Sequence, residues 1–175
     1  LHEMLRPIFL RRDRSFIQKD LPPINRIQKI HELSKSAQEA YALALKGLWR
    51  QLKTFDHRGQ GGEEMSIVNF LAEIMRLKQI CSADKTGYTV ELAEAIINES
   101  DEKGMVLIFT QFKGVAVEIA ALLGHEAVCT VNRTRNDFYS MTADQRDELF
   151  ESARCDESIK YIVTTEAAKE GHNLE

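Results

Sequence analysis

Apolar residues recur at helical spacing through the first hundred residues of the chain. Three segments carry an apolar side chain at about every third or fourth position: Ala37–Phe55, Met65–Ile80 and Val90–Ile97. Two prolines in LPPIN, residues 21–25, exclude a helix between such segments, and HRGQGG, residues 57–62, is a glycine-rich loop. This half of the chain is therefore predicted to be mainly helical.

The pattern changes after Lys103 to alternating strands and helices. The predicted elements are a strand at Met105–Thr110, a helix at Phe112–Gly124, a strand at Glu126–Val131, a helix at Thr142–Arg154 with Thr142 as its N-cap, and a strand at Ile159–Thr165. The first strand is continuously apolar, as expected of a strand buried on both faces of a parallel sheet. Right-handed crossovers assemble such units into a parallel sheet, whose ligands bind at the carboxyl ends of the strands.

Composition narrows the class of protein. The 175 residues, 43% hydrophobic and 29% charged, suit one globular domain, or one with an appended subdomain. No apolar run reaches the roughly 20 residues of a membrane span, and the first residues lack a secretory signal, so a soluble intracellular protein is expected.

Charge is distributed unevenly along the chain. Residues 1–60 carry 12 Lys and Arg against 6 Asp and Glu, whereas residues 61–175 carry 11 against 21. The basic end fits a polyanion partner or a solvated helical face equally well.

Common catalytic and metal-binding motifs are missing from the sequence. Cys81, Cys129 and Cys155 have no ligand spacing, and the five histidines are scattered, so neither a metal site nor a disulfide framework is predicted. No glycine-rich phosphate loop, nucleophile elbow or His-Glu-x-x-His pattern occurs. Glu166 and Glu170, four residues apart at an expected helix start, are explained by the helix dipole without catalysis.

Six segments occur in an order that carries more specific information. They are LRPIFLRRDRSFIQKDLP at residues 5–22, LSKSAQEAY at 33–41, IMRLKQIC at 74–81, KGMVLIFTQF at 103–112, MTADQRDELF at 141–150 and VTTEAAKEGHNLE at 163–175. In this order they resemble the second motor lobe of a superfamily-two DNA-dependent ATPase of the Swi/Snf type, in its bacterial RapA-like branch. The fourth segment resembles motif four of that family, and the sixth resembles motif five.

The resemblance implies an α/β fold, in which a mainly helical subdomain precedes a partial RecA-like parallel sheet of three β-α units. Residues 1–30 are expected to form an inter-lobe linker with the Leu-Arg-Arg motif. Residues 31–82 are expected to form the helical subdomain, and residues 83–175 the helicase C-terminal lobe, truncated after motif five. At the end of the linker, INRIQKIHEL, residues 24–33, alternates apolar and polar residues imperfectly, which leaves a short strand open.

Four predicted nucleic-acid contacts lie at the ends of two strands. The resemblance implies that Thr110 and Gln111, and likewise Thr164 and Thr165, donate hydrogen bonds to phosphates of the tracked DNA strand. Such contacts carry no base information, so binding is expected to be independent of sequence. For each threonine the alternative is a hydroxyl that bonds its own backbone.

The other expected site residues come from the two ends of the chain. Arg11 and Arg12 are candidates for a DNA contact or for a structural salt bridge between subdomains. Glu170, Gly171 and Asn173 are expected to face ATP and the first lobe. No catalytic residue is expected in this segment, because the phosphate loop and the Asp-Glu box of the family belong to the first lobe and the arginine finger follows motif five.

The implied function is that of half a motor. ATP and Mg²⁺ would bind between this lobe and the N-terminal ATPase lobe of the same parent chain, and each cycle of hydrolysis would move the pair along double-stranded DNA. The segment alone is expected to be inactive and to bind neither ATP nor Mg²⁺. RNA polymerase or another DNA-bound protein is a further expected partner, and a membrane is not. The expected location is the bacterial cytoplasm at the nucleoid, or the nucleus of a eukaryote.

Some positions depart from the family pattern, and two alternatives stay open. Ser140 replaces a common glycine before the Met-Thr segment, and Ala167, Ala168 and Lys169 replace the usual Ala-Gly-Gly of motif five. One alternative is a non-catalytic relic of a motor lobe that binds protein or DNA; a Gln-x-x-x-Arg-x-x-Arg run after Glu175 would favour the motor instead. The other is an unrelated α/β domain, such as a nucleotide-sugar or response-regulator fold, which would not explain the Leu-Arg-Arg and Leu-Pro matches.

Overall fold

The computed structural model describes residues 25–56, 67–99, 104–135 and 137–165. The chain divides into two units, Leu1–Ile30 and His31–Glu175. Of the first unit, residues 25–30 are described; they are exposed and form neither helix nor strand. The next residues, 31–34, also lack regular structure, so no strand forms over residues 25–34. The division of the chain at residues 30 and 82 stays a prediction.

Among the described residues, three helices precede the sheet, where the helical spacing predicts them. They are α1 (Lys35–Asp56), α2 (Ile67–Asp84) and α3 (Thr86–Glu99). Helices α1 and α2 pack against each other through a small apolar cluster around Ala44, Leu48 and Leu77. Their apolar residues fall on one face because they recur with the 3.6-residue period of the helix.

A polar cluster joins the ends of these helices. Asp84, the last residue of α2, accepts hydrogen bonds from the Ser34 hydroxyl and, at 2.9 Å, from the Ser34 N–H. The same carboxylate lies 3.3 Å from His31 Nε2, and the His31 ring stacks on Tyr88 of α3 with the ring centroids 5.0 Å apart. Ser34 also accepts from the Ala37 N–H at 3.3 Å, which caps the start of α1. The Asp84 carboxylate therefore ties the start of α1 to the end of α2, and His31 extends this cluster to the first turn of α3.

This cluster predicts an acid-sensitive contribution to stability. The hydrogen bonds from Ser34, and then His31, hold the pKa of Asp84 below its usual value of 3.8. A carboxyl group whose pKa is lowered by folding adds stability above its unfolded pKa, and that stability is lost as the pH falls through the lower folded pKa. We expect Asp84→Asn to lower the melting temperature at pH 5–7, and the difference from wild type to shrink as the pH drops below about 4. Thermal unfolding at several pH values checks this.

The matched background for that comparison is Ser34→Ala, which removes the main cause of the lowered pKa. In this background Asp84→Asn should change the melting temperature less, and its effect should depend less on pH. An equal pH dependence with and without Ser34 would contradict the assignment of the acid-sensitive contribution to this cluster.

The described residues of the second half of unit two form a three-stranded parallel sheet. Its strands are β1 (Val106–Phe109), β2 (Ala127–Cys129) and β5 (Tyr161–Thr164), in the order β1-β5-β2. Helix α4 (Lys113–Leu123) follows β1, and helix α5 (Ala143–Cys155) precedes β5. The predicted fold class, a partial RecA-like parallel sheet behind a helical subdomain, is confirmed.

The central strand β5 is buried at all four positions because helices cover both of its faces. On one face Val163 packs with Ile119 of α4 and Ala93 of α3. On the other face Ile162 packs with Phe150 and Ala153 of α5. Alternation of side chains along the strand assigns neighbouring residues to these two separate cores.

The expectation that β1 is buried on both faces is wrong. In the described sheet β1 pairs with β5 along one edge, and Leu107 and Phe109 are 36% and 52% exposed. Both lie on the face where α5 covers the central strand, because Leu107 is in register with Ile162. Helix α5 packs over β5 and β2 rather than over β1, so only Ile108, on the opposite face, is buried.

Helix ends follow the local signals in the sequence. Helix α4 ends at Leu123, and the next residue is Gly124. Gly124 has a φ of 70°, a backbone conformation that residues other than glycine seldom adopt. Helix α5 starts with the predicted N-cap: the Thr142 hydroxyl accepts from the Gln145 N–H at 3.3 Å, and the Gln145 side chain accepts from the Thr142 N–H at 3.1 Å. This reciprocal pair is a capping box, which satisfies two backbone donors at once.

The second predicted strand is interrupted, and a hairpin follows it. Strand β2 ends at Cys129, and β3 (Val131–Arg133) pairs in antiparallel fashion with β4 (Phe138–Ser140). Thr130 separates β2 from β3, so the chain leaves the parallel sheet at this residue. The hairpin was not predicted from the sequence.

Candidate functional site

Threonines stand together at the carboxyl ends of the three parallel strands. Thr110 follows β1, Thr130 follows β2, and Thr164 with Thr165 ends β5. The Thr110 N–H donates to the Thr164 carbonyl oxygen at 3.0 Å, and the hydroxyls of Thr130 and Thr164 are 2.8 Å apart. These four residues are called the threonine edge below. Ligands of parallel α/β sheets bind at this end of the strands.

The four predicted phosphate contacts differ in how accessible they are. Gln111 is exposed and Thr110 is half-buried, whereas Thr164 and Thr165 are buried. Thr164 is 0% exposed, and its hydroxyl bonds to Thr130 Oγ1 and, at 3.3 Å, to the Thr165 carbonyl oxygen. For Thr164 the structure therefore shows the alternative, a hydroxyl bonded within the protein. A phosphate contact by this residue stays a prediction.

Thr110 keeps a donor for a ligand. Its hydroxyl oxygen accepts a long hydrogen bond, 3.5 Å, from the Phe112 N–H just before α4 begins. That bond uses a lone pair of the oxygen and not its proton, so the hydroxyl can still donate. With the exposed amide of Gln111 beside it, this corner offers two neutral donors at the end of β1.

The remaining predicted site residues lie outside the described residues. These are Arg11 and Arg12, proposed for DNA or a salt bridge, and Glu170, Gly171 and Asn173, proposed to face ATP. Their roles stay predictions.

Thr130 belongs to the site although the sequence reasoning did not select it. Its N–H donates to the Val163 carbonyl oxygen at 3.0 Å, and its own carbonyl oxygen accepts from the Met141 N–H at 3.1 Å. Thr130 thus joins the end of β5 to the Met-Thr segment that starts α5. The available signal was a threonine at the end of an apolar run, whereas Thr110 and Thr165 were expected on the family resemblance.

Other chemistry finds little support among the residues that the structure describes. Burial raises the pKa of the Cys129 thiol, which disfavours a reactive thiolate. Within 25–56, 67–99, 104–135 and 137–165, no group of three or more His, Cys, Asp or Glu side chains could hold a metal ion. Over the same ranges, no helix has the length and apolar character needed to cross a membrane.

Comparison with known families decides the class of the protein. The profile of the helicase conserved C-terminal domain matches residues 88–175, just over half of the chain. The chain belongs to the helicase C-terminal domain family. The matched region begins inside α3 and contains the parallel sheet, the hairpin and the threonine edge. No curated protein and no solved structure gave a significant match to the chain.

Family membership indicates the kind of lobe to which the threonine edge belongs. The region from α3 onwards is the C-terminal lobe of a helicase-superfamily protein, and members of this superfamily generally hydrolyse ATP. The helicase C-terminal lobe implied by the order of the sequence segments is confirmed at this level.

Proposed function

We propose that this helicase C-terminal lobe is the second motor lobe of a Swi/Snf-type, RapA-like translocase on double-stranded DNA. The observation that carries the proposal is the threonine edge with Gln111, which gathers hydroxyl and amide donors at one end of the sheet in a helicase lobe. The Leu-Arg-Arg, Leu-Pro and Met-Thr segments, in their order along the chain, support the Swi/Snf type.

The donors at this edge suit a grip that must be released in every cycle. Thr110 and Gln111 are neutral, and one is half-buried while the other is exposed. Hydrogen bonds from hydroxyls and amides fix the position of a phosphate without reading its base. When such a bond breaks, no desolvated charge is left on the protein. A neutral donor can therefore release a phosphate at a lower free-energy cost than a buried cation can. Binding should therefore be independent of DNA sequence.

The motor would be complete only together with the N-terminal lobe of the parent chain. ATP with Mg²⁺ would supply the force that closes the two lobes, and hydrolysis would release them. Glu170, Gly171 and Asn173 are the proposed residues of this lobe that face the nucleotide. The segment alone is proposed to be inactive. The proposed location is the DNA of the bacterial nucleoid in the cytoplasm, or the DNA of a nucleus. The proposed protein partner is RNA polymerase or another DNA-bound protein.

The test is DNA-stimulated ATP hydrolysis by the full-length protein. Two duplexes of unrelated sequence should stimulate the wild type equally. Gln111→Ala and Thr165→Ala should each lower the stimulation roughly ten- to hundredfold, since a hydrogen bond to a charged group is worth about 1.5–3 kcal/mol. Thr165→Ser keeps the hydroxyl and should retain most of the stimulation.

Two results would contradict the proposal. Absence of any stimulation by DNA in the wild type would exclude the motor, and equal stimulation in wild type and both alanine variants would exclude the site. DNA binding without any ATP hydrolysis would instead support the alternative of a non-catalytic binding module.

A further inference from the structure

Basic side chains are sparse in the described part of the C-terminal lobe, and only half of them are exposed. Between residues 104 and 165 there are six Lys and Arg against nine Asp and Glu. Three of the six are half-buried and bond to groups of the lobe: Lys160 to Glu126 at 2.7 Å, Arg154 to Glu151 at 3.0 Å, and Arg146 to the Met141 carbonyl oxygen at 3.3 Å. The other three, Lys113, Arg133 and Arg135, are exposed.

These three basic residues gather at the β3–β4 hairpin. The Arg133 guanidinium lies over the Phe138 ring, 5.9 Å from its centroid, and Lys113 Nζ lies 3.5 Å from the Phe138 carbonyl oxygen. Arg135 stands in the turn between the two strands. All three are exposed, and no carboxylate among the described residues forms an ion pair with them. The group is called the basic hairpin below.

The turn of the basic hairpin is fixed by its own hydrogen bonds. The Thr134 N–H donates to the Asp137 carbonyl oxygen at 2.8 Å, and the Asp137 N–H donates to the Thr134 hydroxyl at 3.0 Å. The Asp137 carboxylate, the nearest acid in sequence, accepts from the Phe138 N–H at 2.7 Å. The charges of Arg133 and Arg135 therefore sit on an ordered scaffold, which lowers the entropy lost when a ligand binds.

The basic hairpin stands at the same end of the sheet as the threonine edge. Strand β3 starts directly after Thr130, and Lys113 is the first residue of α4, three residues beyond Thr110. A cation in the first turn of a helix opposes the helix dipole, and α4 has no acidic residue there. Helix stability therefore does not explain Lys113, whereas a ligand with negative charge would.

We propose that the basic hairpin holds the phosphodiester backbone of duplex DNA beside the threonine edge, with Arg133, Arg135 and Lys113 as the contacts. The inference rests on the proposed function, because it adds a second grip to the same nucleic-acid track. A locally positive surface on an otherwise acidic lobe attracts polyanions by releasing their counterions. The basic hairpin would supply affinity and would read no base.

The experiment measures DNA affinity of the full-length protein by fluorescence anisotropy, between 50 and 200 mM salt. Arg133→Ala with Arg135→Ala should weaken duplex binding on the order of tenfold per arginine near 0.1 M salt. The slope of log affinity against log salt should fall by about 1.8, because each lost phosphate contact removes about 0.9. Arg133→Lys with Arg135→Lys keeps both charges and should keep the slope.

Two further variants separate charge from folding. Arg135→Ala alone leaves the contact between Arg133 and Phe138 intact and should lower the slope by about 0.9. Arg76→Ala removes the same charge from an exposed position on α2 and should change affinity less than about twofold, within the small range of surface substitutions. Unchanged affinity and slope in Arg135→Ala and in the double alanine variant would overturn the proposal. A loss confined to a matching single strand would overturn the assignment to duplex DNA.

ATP hydrolysis by the same samples separates this inference from the motor proposal. If DNA stimulates the wild type while the hairpin variants bind like wild type, the inference about the basic hairpin is wrong and the motor proposal stands. If duplex binding depends on the hairpin arginines but DNA does not stimulate hydrolysis, the basic hairpin is supported and the motor proposal is wrong.

Discussion

Replacing Phe150 by alanine is expected to lower the free energy of unfolding by about 3–5 kcal/mol, a large part of the roughly 5–15 kcal/mol of a typical domain. Phe150 lies in α5 and is 4% exposed. Its ring packs with Ala153 and Ile162 in the core between α5 and the sheet. The substitution both loses the transfer free energy of the ring and leaves a cavity, which the surrounding core fills only in part.

The matched control is Phe109→Ala, the same substitution on the edge strand. Phe109 is 52% exposed, so Phe109→Ala should lower the free energy of unfolding by less than about 1 kcal/mol. That is close to the range of surface substitutions. Urea unfolding followed by circular dichroism measures both changes. Equal losses in the two variants would contradict the assignment of β1 to the uncovered edge of the described sheet and of Phe150 to the core.

These two phenylalanines show what the pattern of apolar residues determines. Helical spacing predicted α1, α2 and α3, and apolar runs predicted β1 and β5, because the spacing of apolar residues is a local property of the chain. The burial of a side chain, in contrast, depends on segments that are distant in the sequence. Phe109 belongs to an apolar run that also fits a central strand, and only the order β1-β5-β2, set by pairing between distant segments, leaves it exposed.

The hairpin was missed for a related reason. Strands β3 and β4 have three residues each and are joined by a short turn, so neither gives a clear alternation of apolar and polar residues. The segment between them, TRND at residues 134–137, contains turn-forming residues, which was the available signal. The strand predicted from Glu126 to Val131 runs past Thr130, the residue at which the chain leaves the parallel sheet.

The place of the candidate residues at the strand ends could be predicted from the sequence, whereas the burial of their side chains could not. Parallel topology placed Thr110 and Gln111 at the ligand-binding end of the sheet, and the structure locates them there. Whether a hydroxyl at that end faces a ligand or another residue depends on register, which a single sequence does not reveal. Val163 is in register with Cys129, so Thr164 and Thr130 come opposite each other and their hydroxyls bond.

That hydroxyl pair leads to the second large expected effect. Thr164→Val should lower the free energy of unfolding by about 1–3 kcal/mol, because it leaves the buried Thr130 hydroxyl without its partner. Thr130→Val should lower it less, because the Thr164 hydroxyl keeps its bond to the Thr165 carbonyl oxygen. Both hydroxyls are buried, and they are 2.8 Å apart. With both replaced, no hydroxyl is left unpaired, so the double variant should lose clearly less than the sum of the two single losses.

Chemical unfolding of the wild type, the two single variants and the double variant forms a double-mutant cycle. The expected coupling between the sites is about 1 kcal/mol, within the range seen for residues in direct contact. Thr89→Val in α3 is the control, because its hydroxyl donates to the Lys85 carbonyl oxygen of the preceding turn and joins no second strand. Additive losses at Thr130 and Thr164 would mean that the two hydroxyls do not depend on each other. A coupled loss would show that the end of β5, from which Thr165 extends, is held in position by Thr130.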